Sequence, residues 1–489
     1  MSITKILQLS GIILLIIIQQ VSAQEQKGDH PNLLIIHTDE HNLRTLGCYR
    51  ATMTDEQAHM WGKGVVVETP NIDGLAEEGL LCTNWYATSP VCTPSRASMI
   101  SGLYPIATGS HQNNLPLKDD LVSFAHILKE NGYATSYVGK WHLDGYAKPG
   151  FEPVRNFGFD DNRYMFNRGH WKVLGEDETG PMVLDKISPE GWAVFNTNIA
   201  NEKSFATDFL VDRTIEIMDR DKDTPFCVML SLPDPHGPDK VRIPYSEMFM
   251  DISFKEPENA HSSEHGHPKW NKPDESKKVE NFHKTGIAQY FGMVKCIDDN
   301  VGRIMDYLKA EGLDKNTIVV FTSDHGDLMG EHGKLNKGLP YEMSARVAFL
   351  LKYPGHVKAG KQIQKAYTMA DFTPTILGLM GINHTSYTFH GMDASKDFTN
   401  SNSMIIDDRI VYLTNAFSRW VAAVNNRYKL VLSPVDKPWL FDLQEDPDEM
   451  INFYNNPKYS EIAKKMEDEL YRQMEQYNEP LLKEGTIIQ

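Results

Sequence analysis

Pro31-Asn32-Leu33-Leu34-Ile35-Ile36-His37-Thr38-Asp39-Glu40-His41 is an unbroken apolar run that opens after a proline and closes in acids and histidine. Continuous rather than alternating hydrophobicity means that both faces are covered. The run therefore reads as a buried strand of a parallel sheet whose end delivers a polar loop. The same grammar recurs downstream. Leu121, Phe124, Ala125 and Leu128 have helical spacing, Gly132 ends them, and Tyr133 to Val138 form a strand delivering Gly139-Lys140-Trp141-His142. An amphipathic helix around 205–219 precedes a strand from Phe226 to Leu230 that delivers Pro233-Asp234-Pro235-His236. A long helix over 286–311, apolar at Ile287, Phe291, Val294, Val301, Ile304 and Leu308, stops at Gly312. Thr317 to Phe321 then deliver Ser323-Asp324-His325-Gly326. Helices alternating with apolar strands predict an α/β fold built on a mostly parallel sheet flanked by helices. Ligands of such sheets bind beyond the carboxyl ends of the strands, and these four strand ends all carry ionisable side chains.

Outward from this core the texture changes. Residues 161–200 and 239–284 are rich in polar residues, Pro and Gly, and read as loops long enough to wall a substrate site. The second holds His261, His265 and His267, which lack a regular ligand spacing and read as a solvated loop. Past a helix over 371–381, short strands are predicted at Ile410 to Thr414, Trp420 to Val424, Tyr428 to Leu432 and Leu440 to Leu443, with an Asn425-Asn426 hairpin turn. Tyr459, Ile462, Ala463, Met466, Leu470 and Met474 then mark a terminal amphipathic helix. Residues 24–385 are thus read as a large α/β domain and 386–489 as a smaller α+β subdomain, without internal repeats.

Residues 1–23 carry Lys5, an apolar run from Ile12 to Ile18 and Val21-Ser22-Ala23, the order of an export signal with a small-residue cleavage site. The run is short for a membrane anchor, so the expectation is an exported, periplasmic or secreted protein without stable membrane insertion. Lys5 is the leader's only charged residue, which leaves 48 basic against 66 acidic side chains and a formal charge of −18 on the mature chain. That balance disfavours non-specific nucleic-acid binding. Five cysteines, Cys48, Cys82, Cys92, Cys227 and Cys296, are too few for a disulfide scaffold, and their odd number leaves at least one unpaired. Cys92 is the one expected to be free, because Cys92-Thr93-Pro94-Ser95-Arg96 opens a short helix that Gly102 closes. The start of a helix places it among N–H donors that favour anions.

Asp39, Glu40, Asp324 and His325 form a mainly oxygen-donor set from two strand ends, suited to a hard divalent cation, calcium rather than magnesium. Taken singly, each pair reads as a helix cap. Arg96, Lys140, His142, His236 and Lys337 come from five separate stretches. Singly they are surface charges or ordinary histidines. Gathered beside a metal they would make a positive pocket that selects a small oxyanion and stabilises charge during its transfer.

Taken together, these motifs resemble a type I, formylglycine-dependent sulfatase of the alkaline phosphatase superfamily, of the kind found among bacterial polysaccharide sulfatases. The matching segments are Cys92-x-Pro94-Ser95-Arg96 with Gly102-Leu103-Tyr104-Pro105, the Pro31-to-Asp39 strand, Gly139-Lys140-Trp141-His142-Leu143 and Pro235-His236. Ser323-Asp324-His325-Gly326 with Gly330-x-His332-Gly333, Lys337 before Tyr341-Glu342, and Leu440-Phe441-Asp442-Leu443 complete the set, which spans essentially the mature chain.

The resemblance implies an alkaline-phosphatase-like fold and oxidation of Cys92 to formylglycine by a sulfatase-maturating enzyme. The formylglycine hydrate would attack sulfur beside one calcium ion per chain, held by Asp39, Glu40, Asp324, His325 and the converted Cys92. Arg96 would support that residue, Lys140 and Lys337 would hold sulfate oxygens, His142 would help the diol collapse, and His236 would protonate the departing alcohol. Glu40 and His325 stand where the family most often has Asp and Asn, and Glu reaches one methylene farther. The expected substrate is a sulfated carbohydrate, an algal polymer such as ulvan or carrageenan ahead of a glycosaminoglycan. A phosphomonoester or phosphonate ester hydrolase of the same superfamily, and a carbohydrate-binding pseudoenzyme, are the competing readings.

Overall fold

The computed structural model describes residues 30–188, 193–261, 266–402, 404–417, 419–484 and 487–488; the leader and His265 lie outside the described residues. The opening stretch is a strand, Asn32–Asp39, with all eight residues buried. It pairs in parallel with Phe226–Pro235 on one side and Thr317–Ser323 on the other, which places it in the interior of a nine-stranded sheet. Ala134–Lys140 and then Met165–Phe166 continue beyond Phe226–Pro235. On the other side Phe349–Lys352 runs antiparallel, followed by Leu80–Cys82, Lys361–Ile363 and Met404–Ile405. The mostly parallel α/β architecture read from the sequence is the one observed.

Period-two alternation along the central strand divides the core. Leu34 and Ile36 face one layer, with Leu210, Val211, Val301, Ile304 and Leu308. Leu33 and Ile35 face the other, with Ala97, Phe124, Leu128, Ile376 and Leu377. Helices Ala206–Asp221 and Ile287–Ala310 therefore cover one face, while Cys92–Ser101, Phe124–Glu130 and Phe372–Leu379 cover the other. The long helix is amphipathic because its buried side chains recur every three or four residues. Each of these fully buried apolar side chains contributes about 1.5–3 kcal/mol relative to exposure.

Val411–Thr414, Val421–Val424, Tyr428–Leu432 and Trp439–Asp442 form an antiparallel four-stranded meander. One face packs on helix Ser460–Gln476 through Met466, Leu470 and Met474. The other joins the large core through Leu413, Ala422, Val431 and Phe441. Ala394 and Phe398 are buried in the core of the large sheet, and Met404–Ile405 extends it. The polar stretch 161–200 also does more than decorate, since Met165–Phe166 forms one edge of the large sheet. No helix among the described residues is long and apolar enough to cross a membrane.

Candidate active site

The helix Cys92–Ser101 begins at Cys92 itself, so Pro94 occupies the third helical position rather than the first. Its missing N–H still costs nothing there, because the first turn has no intrahelical acceptor to reach. Gly102 ends the helix at φ 71°, a left-handed conformation that suits glycine. Every residue of the helix is buried, and all five cysteines are free thiols.

Cys92, Asp39, Asp324 and His325 form a fully buried group whose ligand-type atoms lie within 4.8 Å of one another. The Cys92 Sγ is 3.6 Å from Asp39 Oδ1 and 3.2 Å from His325 Nε2. His325 Nδ1 faces the Gly326 carbonyl at 2.9 Å, and because a carbonyl only accepts, the ring proton sits on Nδ1. That leaves the Nε2 lone pair facing the group, the orientation of a metal-ligating imidazole fixed by its outer hydrogen bond. Two carboxylates, an imidazole and a side chain convertible to an oxygen donor fit a divalent cation.

Arg96 holds this group together. Its Nε donates to Asp324 at 2.8 Å and one terminal nitrogen to Asp39 at 2.9 Å. The other terminal nitrogen reaches the Lys140 carbonyl and the Ser231 hydroxyl, both at 2.7 Å. Lys140 also donates to Asp39. Burial alone would raise the Asp39 carboxyl, but Lys140 and Arg96 outweigh it and hold the group well below the usual range. Asp324 is raised by burial and by Asp39, then drawn below its ordinary value by His325 and Arg96. Both carboxylates therefore stay charged at neutral pH.

Glu40 follows Asp39 at φ 62°, a conformation uncommon for a residue with a side chain, and lies outside the four-residue group. Its Oε2 pairs with Lys337 at 2.8 Å and with His236 at 2.9 Å. Its Oε1 is buried without a hydrogen-bond partner. Lys337 Nζ is also 2.6 Å from His236 Nε2. His236 Nδ1 donates to the Gly237 carbonyl at 2.7 Å, so Nε2 is the nitrogen that exchanges protons. Burial and the nearby Lys337 would lower the proton affinity of His236, but the Glu40 carboxylate together with a hydrogen bond to Cys92 outweighs them, so its pKa lies above the ordinary value. His142 is buried at φ 61°, with Nε2 3.2 Å from Asn114 Oδ1 and Nδ1 unpartnered. Burial, then Lys140 and Arg96, keep it neutral. Its carbonyl accepts from Thr93, the neighbour of Cys92, at 2.9 Å.

All the expected site residues thus converge on one end of the sheet, with Glu40 turned toward the cations. One was missed. His170 stacks on His236 with ring centroids 3.5 Å apart, and its Nε2 accepts from Lys140 at 2.7 Å. It comes from the irregular 161–200 stretch, where no periodicity distinguishes a functional histidine from a solvated one. Neither His261 nor His267 joins a group of potential metal ligands among the described residues.

A family model described as sulfatase matches residues 31–382. A second, described as N-sulphoglucosamine sulphohydrolase, C-terminal, matches residues 330–476. The chain is 26% identical to an N-acetylglucosamine-6-O-sulfatase of Bacteroides thetaiotaomicron, over 95% of this chain and 90% of that one. It is 28% identical to an ulvan-active sulfatase of Formosa agariphila, over 92% and 82%. A solved structure in complex with its substrate D-glucosamine-2-N,6-O-disulfate superposes with a TM-score of 0.70 at 24% identity, covering 92% of this chain and 99% of that one.

Proposed function

The chain belongs to the sulfatase family and is a sulfuric ester hydrolase, and from that premise we propose that it is an exported enzyme removing sulfate from the sugar units of a sulfated polysaccharide or its oligosaccharides. Cys92 would first be converted to formylglycine by a maturating enzyme. The observation that carries this reading is the grouping of Cys92 with two buried carboxylates and His325, with Arg96 and Lys140 bonded to those carboxylates and with His236 and Lys337 paired to Glu40.

In this reading the hydrate of the converted side chain would supply an oxygen nucleophile to sulfur, with a second oxygen whose deprotonation would re-form the aldehyde and release sulfate. Asp39, Asp324, His325 and the converted residue would hold calcium, which supplies Lewis-acid polarisation and a template for the sulfate. Arg96 fixes both carboxylates while spending its own donors on protein partners. Lys140 and Lys337 would hold the sulfate oxygens that gain charge, which is where fixed donors lower a barrier most. His236, with its proton affinity raised and Nε2 in play, is suited to protonate the leaving alcohol. His142, neutral and beside Thr93, is suited to take a proton from the second hydrate oxygen.

One of the two relatives named above is ulvan-active and the other bears N-acetylglucosamine-6-O-sulfatase as its name, so the decisive assay spans both polymer classes. Protein produced with a maturating enzyme should show Cys92 as an aldehyde by mass spectrometry of its peptide. It should release sulfate from oligosaccharides of ulvan, carrageenan or heparin, and cleave an aryl sulfate faster than the matched aryl phosphate. An unmodified thiol in an active preparation would remove formylglycine from the mechanism. Faster phosphate turnover would move the enzyme to the phosphoester hydrolases of the superfamily.

A further inference from the structure

His170 touches two groups of the proposed mechanism without belonging to it. Its ring lies face to face with His236, centroids 3.5 Å apart and planes 11° from parallel, while its Nε2 accepts from Lys140 at 2.7 Å. An ammonium only donates, so the lone pair sits on Nε2 and neutral His170 carries its ring proton on Nδ1. Burial, then His236 and Lys140, hold its pKa well below the ordinary value, which keeps the ring neutral.

At that separation near-parallel rings overlap almost completely. Two neutral aromatic rings avoid such a sandwich, because their negative faces oppose each other. A neutral face opposite a cation is instead attractive. The stack therefore suits a pair in which one ring is charged, and His236 is the ring that carries the extra proton when it acts as acid. Metal ligation explains the contact less well. Asp39, His170 and His236 offer ligand-type atoms within 4.8 Å of one another, yet parallel rings aim their lone pairs side by side rather than at a common point. Each Nε2 is also already met by an ammonium, that of His170 by Lys140 and that of His236 by Lys337 at 2.6 Å.

The chain around His170 is tied down at both ends. The Asn167 carbonyl accepts from the His142 N–H at 2.6 Å, and the Lys172 N–H donates to Asp185 at 2.7 Å. Lys172 has no exposed surface, and its ammonium reaches Asp234 at 2.5 Å and the His236 carbonyl at 3.2 Å. Gly169, at φ 115°, lets the chain turn between these anchors, since a Cβ there would come within 2.4 Å of the Trp171 ring. One short strap thus holds His236 twice, by its carbonyl through Lys172 and by its ring face through His170.

We propose that His170 is a positioning residue, whose ring backs His236 and keeps Nε2 of the acid aimed at the leaving oxygen. The assignment rests on the acid role given to His236 above. Matured enzyme is assayed on p-nitrophenyl sulfate, whose leaving group needs little help from an acid, and on sulfated oligosaccharides from ulvan, carrageenan and heparin, whose alkoxides need it. His170→Ala should lower kcat/KM on the oligosaccharides by about 10–10²-fold and on the aryl ester by less than about threefold. His170→Phe, which keeps a ring face, should recover most of that loss, while His170→Gln, which keeps only an acceptor for Lys140, should not. In a His236→Ala background, His170→Ala should add less than about twofold on the oligosaccharides, because a residue acting through another then has nothing to act on. The ratio between the two substrates is insensitive to the fraction of folded enzyme. Equal losses on both substrates, rescue by His170→Gln rather than His170→Phe, or additive losses in the double variant each overturn the positioning role while leaving the acid role standing. A His236→Ala enzyme that loses as much on the aryl ester as on the oligosaccharides overturns the acid role, and the positioning role with it.

Discussion

Two regions of the molecule bury several charges each, and they differ in what those charges are arranged around. At the seam between the large sheet and the C-terminal meander, Lys429 has no exposed surface and contacts Glu342 at 2.6 Å and Glu449 at 2.9 Å. Arg346 and Tyr86 also reach Glu342, at 3.0 and 3.3 Å, and Glu449 accepts from the Glu342 backbone at 2.7 Å. Nearby, Arg44 makes a two-pronged contact to Glu331, at 3.0 and 3.1 Å, with Gln57 taking its remaining nitrogen. Each of these charges has a partner of opposite sign, although Glu342 Oε1 and Arg346 Nε are buried without a hydrogen bond. At the carboxyl end of the sheet, Glu40 Oε1 and His142 Nδ1 are buried without partners, and Lys337 crowds two groups at once. Burial of charge is common to both regions. Buried atoms without a hydrogen bond occur in both, Glu342 Oε1 and Arg346 Nε at the seam and Glu40 Oε1 and His142 Nδ1 at the site, but those of the site lie where a ligand is proposed to bind and could satisfy them.

The comparison breaks most sharply at Cys92. Cys92→Ser keeps the size of the side chain and should leave the thermal midpoint unchanged, yet it offers one oxygen where the proposed reaction needs two. Sulfate release should fall by at least about 10³-fold, read from initial rates beside thermal unfolding. Substantial residual turnover, or a large loss of stability, would show that this residue belongs with the structural charges. His236→Ala sharpens the same contrast. It should cost roughly 10²–10⁴-fold on a sugar sulfate, whose alkoxide leaves badly, and far less on an activated aryl sulfate. Equal losses on both would remove the acid role. At the seam the penalty should appear in stability instead: Lys429→Met leaves Glu342 and Glu449 short of a cation and should cost about 3–5 kcal/mol in urea unfolding. A loss below about 1 kcal/mol would mean that the seam tolerates unpaired charge as the active site does.

Much of this division was legible in the sequence, and the exceptions have physical reasons. The four long strands announced themselves because parallel strands covered on both faces are apolar throughout, and each strand end carried its site residues with it. Arg96 was legible through its fixed spacing from Cys92 on one helix. His170 was not, because it sits in an irregular segment whose path is set by tertiary contacts such as the backbone hydrogen bonds from His142 to the Asn167 carbonyl and from Ala206 to the Lys172 carbonyl. Residues 386–405 are polar enough to read as the start of another unit, while the few apolar groups Ala394 and Phe398 dock them on the large core. Lys429 was equally hidden. In a strand of alternating texture a lysine reads as facing solvent, but this meander is covered on both faces, by helix Ser460–Gln476 on one and by the large core on the other.

The smallest expected effect tests whether the seam is as closed as its distances indicate. Burial, and then the neighbouring Glu342, push the Glu449 carboxyl up from an ordinary 4.5 to about 7 against the pull of Lys429, while Lys429 and Arg346 outweigh burial at Glu342 and hold it below its ordinary value. One carboxylate of the pair is thus charged near neutrality and the other retains a proton. Between the two values the folded chain keeps on Glu449 a proton that the unfolded chain has lost. The resulting stability is fully present below the unfolded pKa and is lost as pH rises through the folded one. Glu449→Gln removes the titration while keeping a neutral group of the same shape. Thermal midpoints measured from about pH 5 to about pH 8 should therefore fall more steeply in the wild type than in Glu449→Gln, with the two curves separating as pH approaches 7. Parallel curves would show that water, rather than a second carboxylate in a closed cluster, shares the Lys429 charge, and the seam would then resemble the active site in remaining open to a partner.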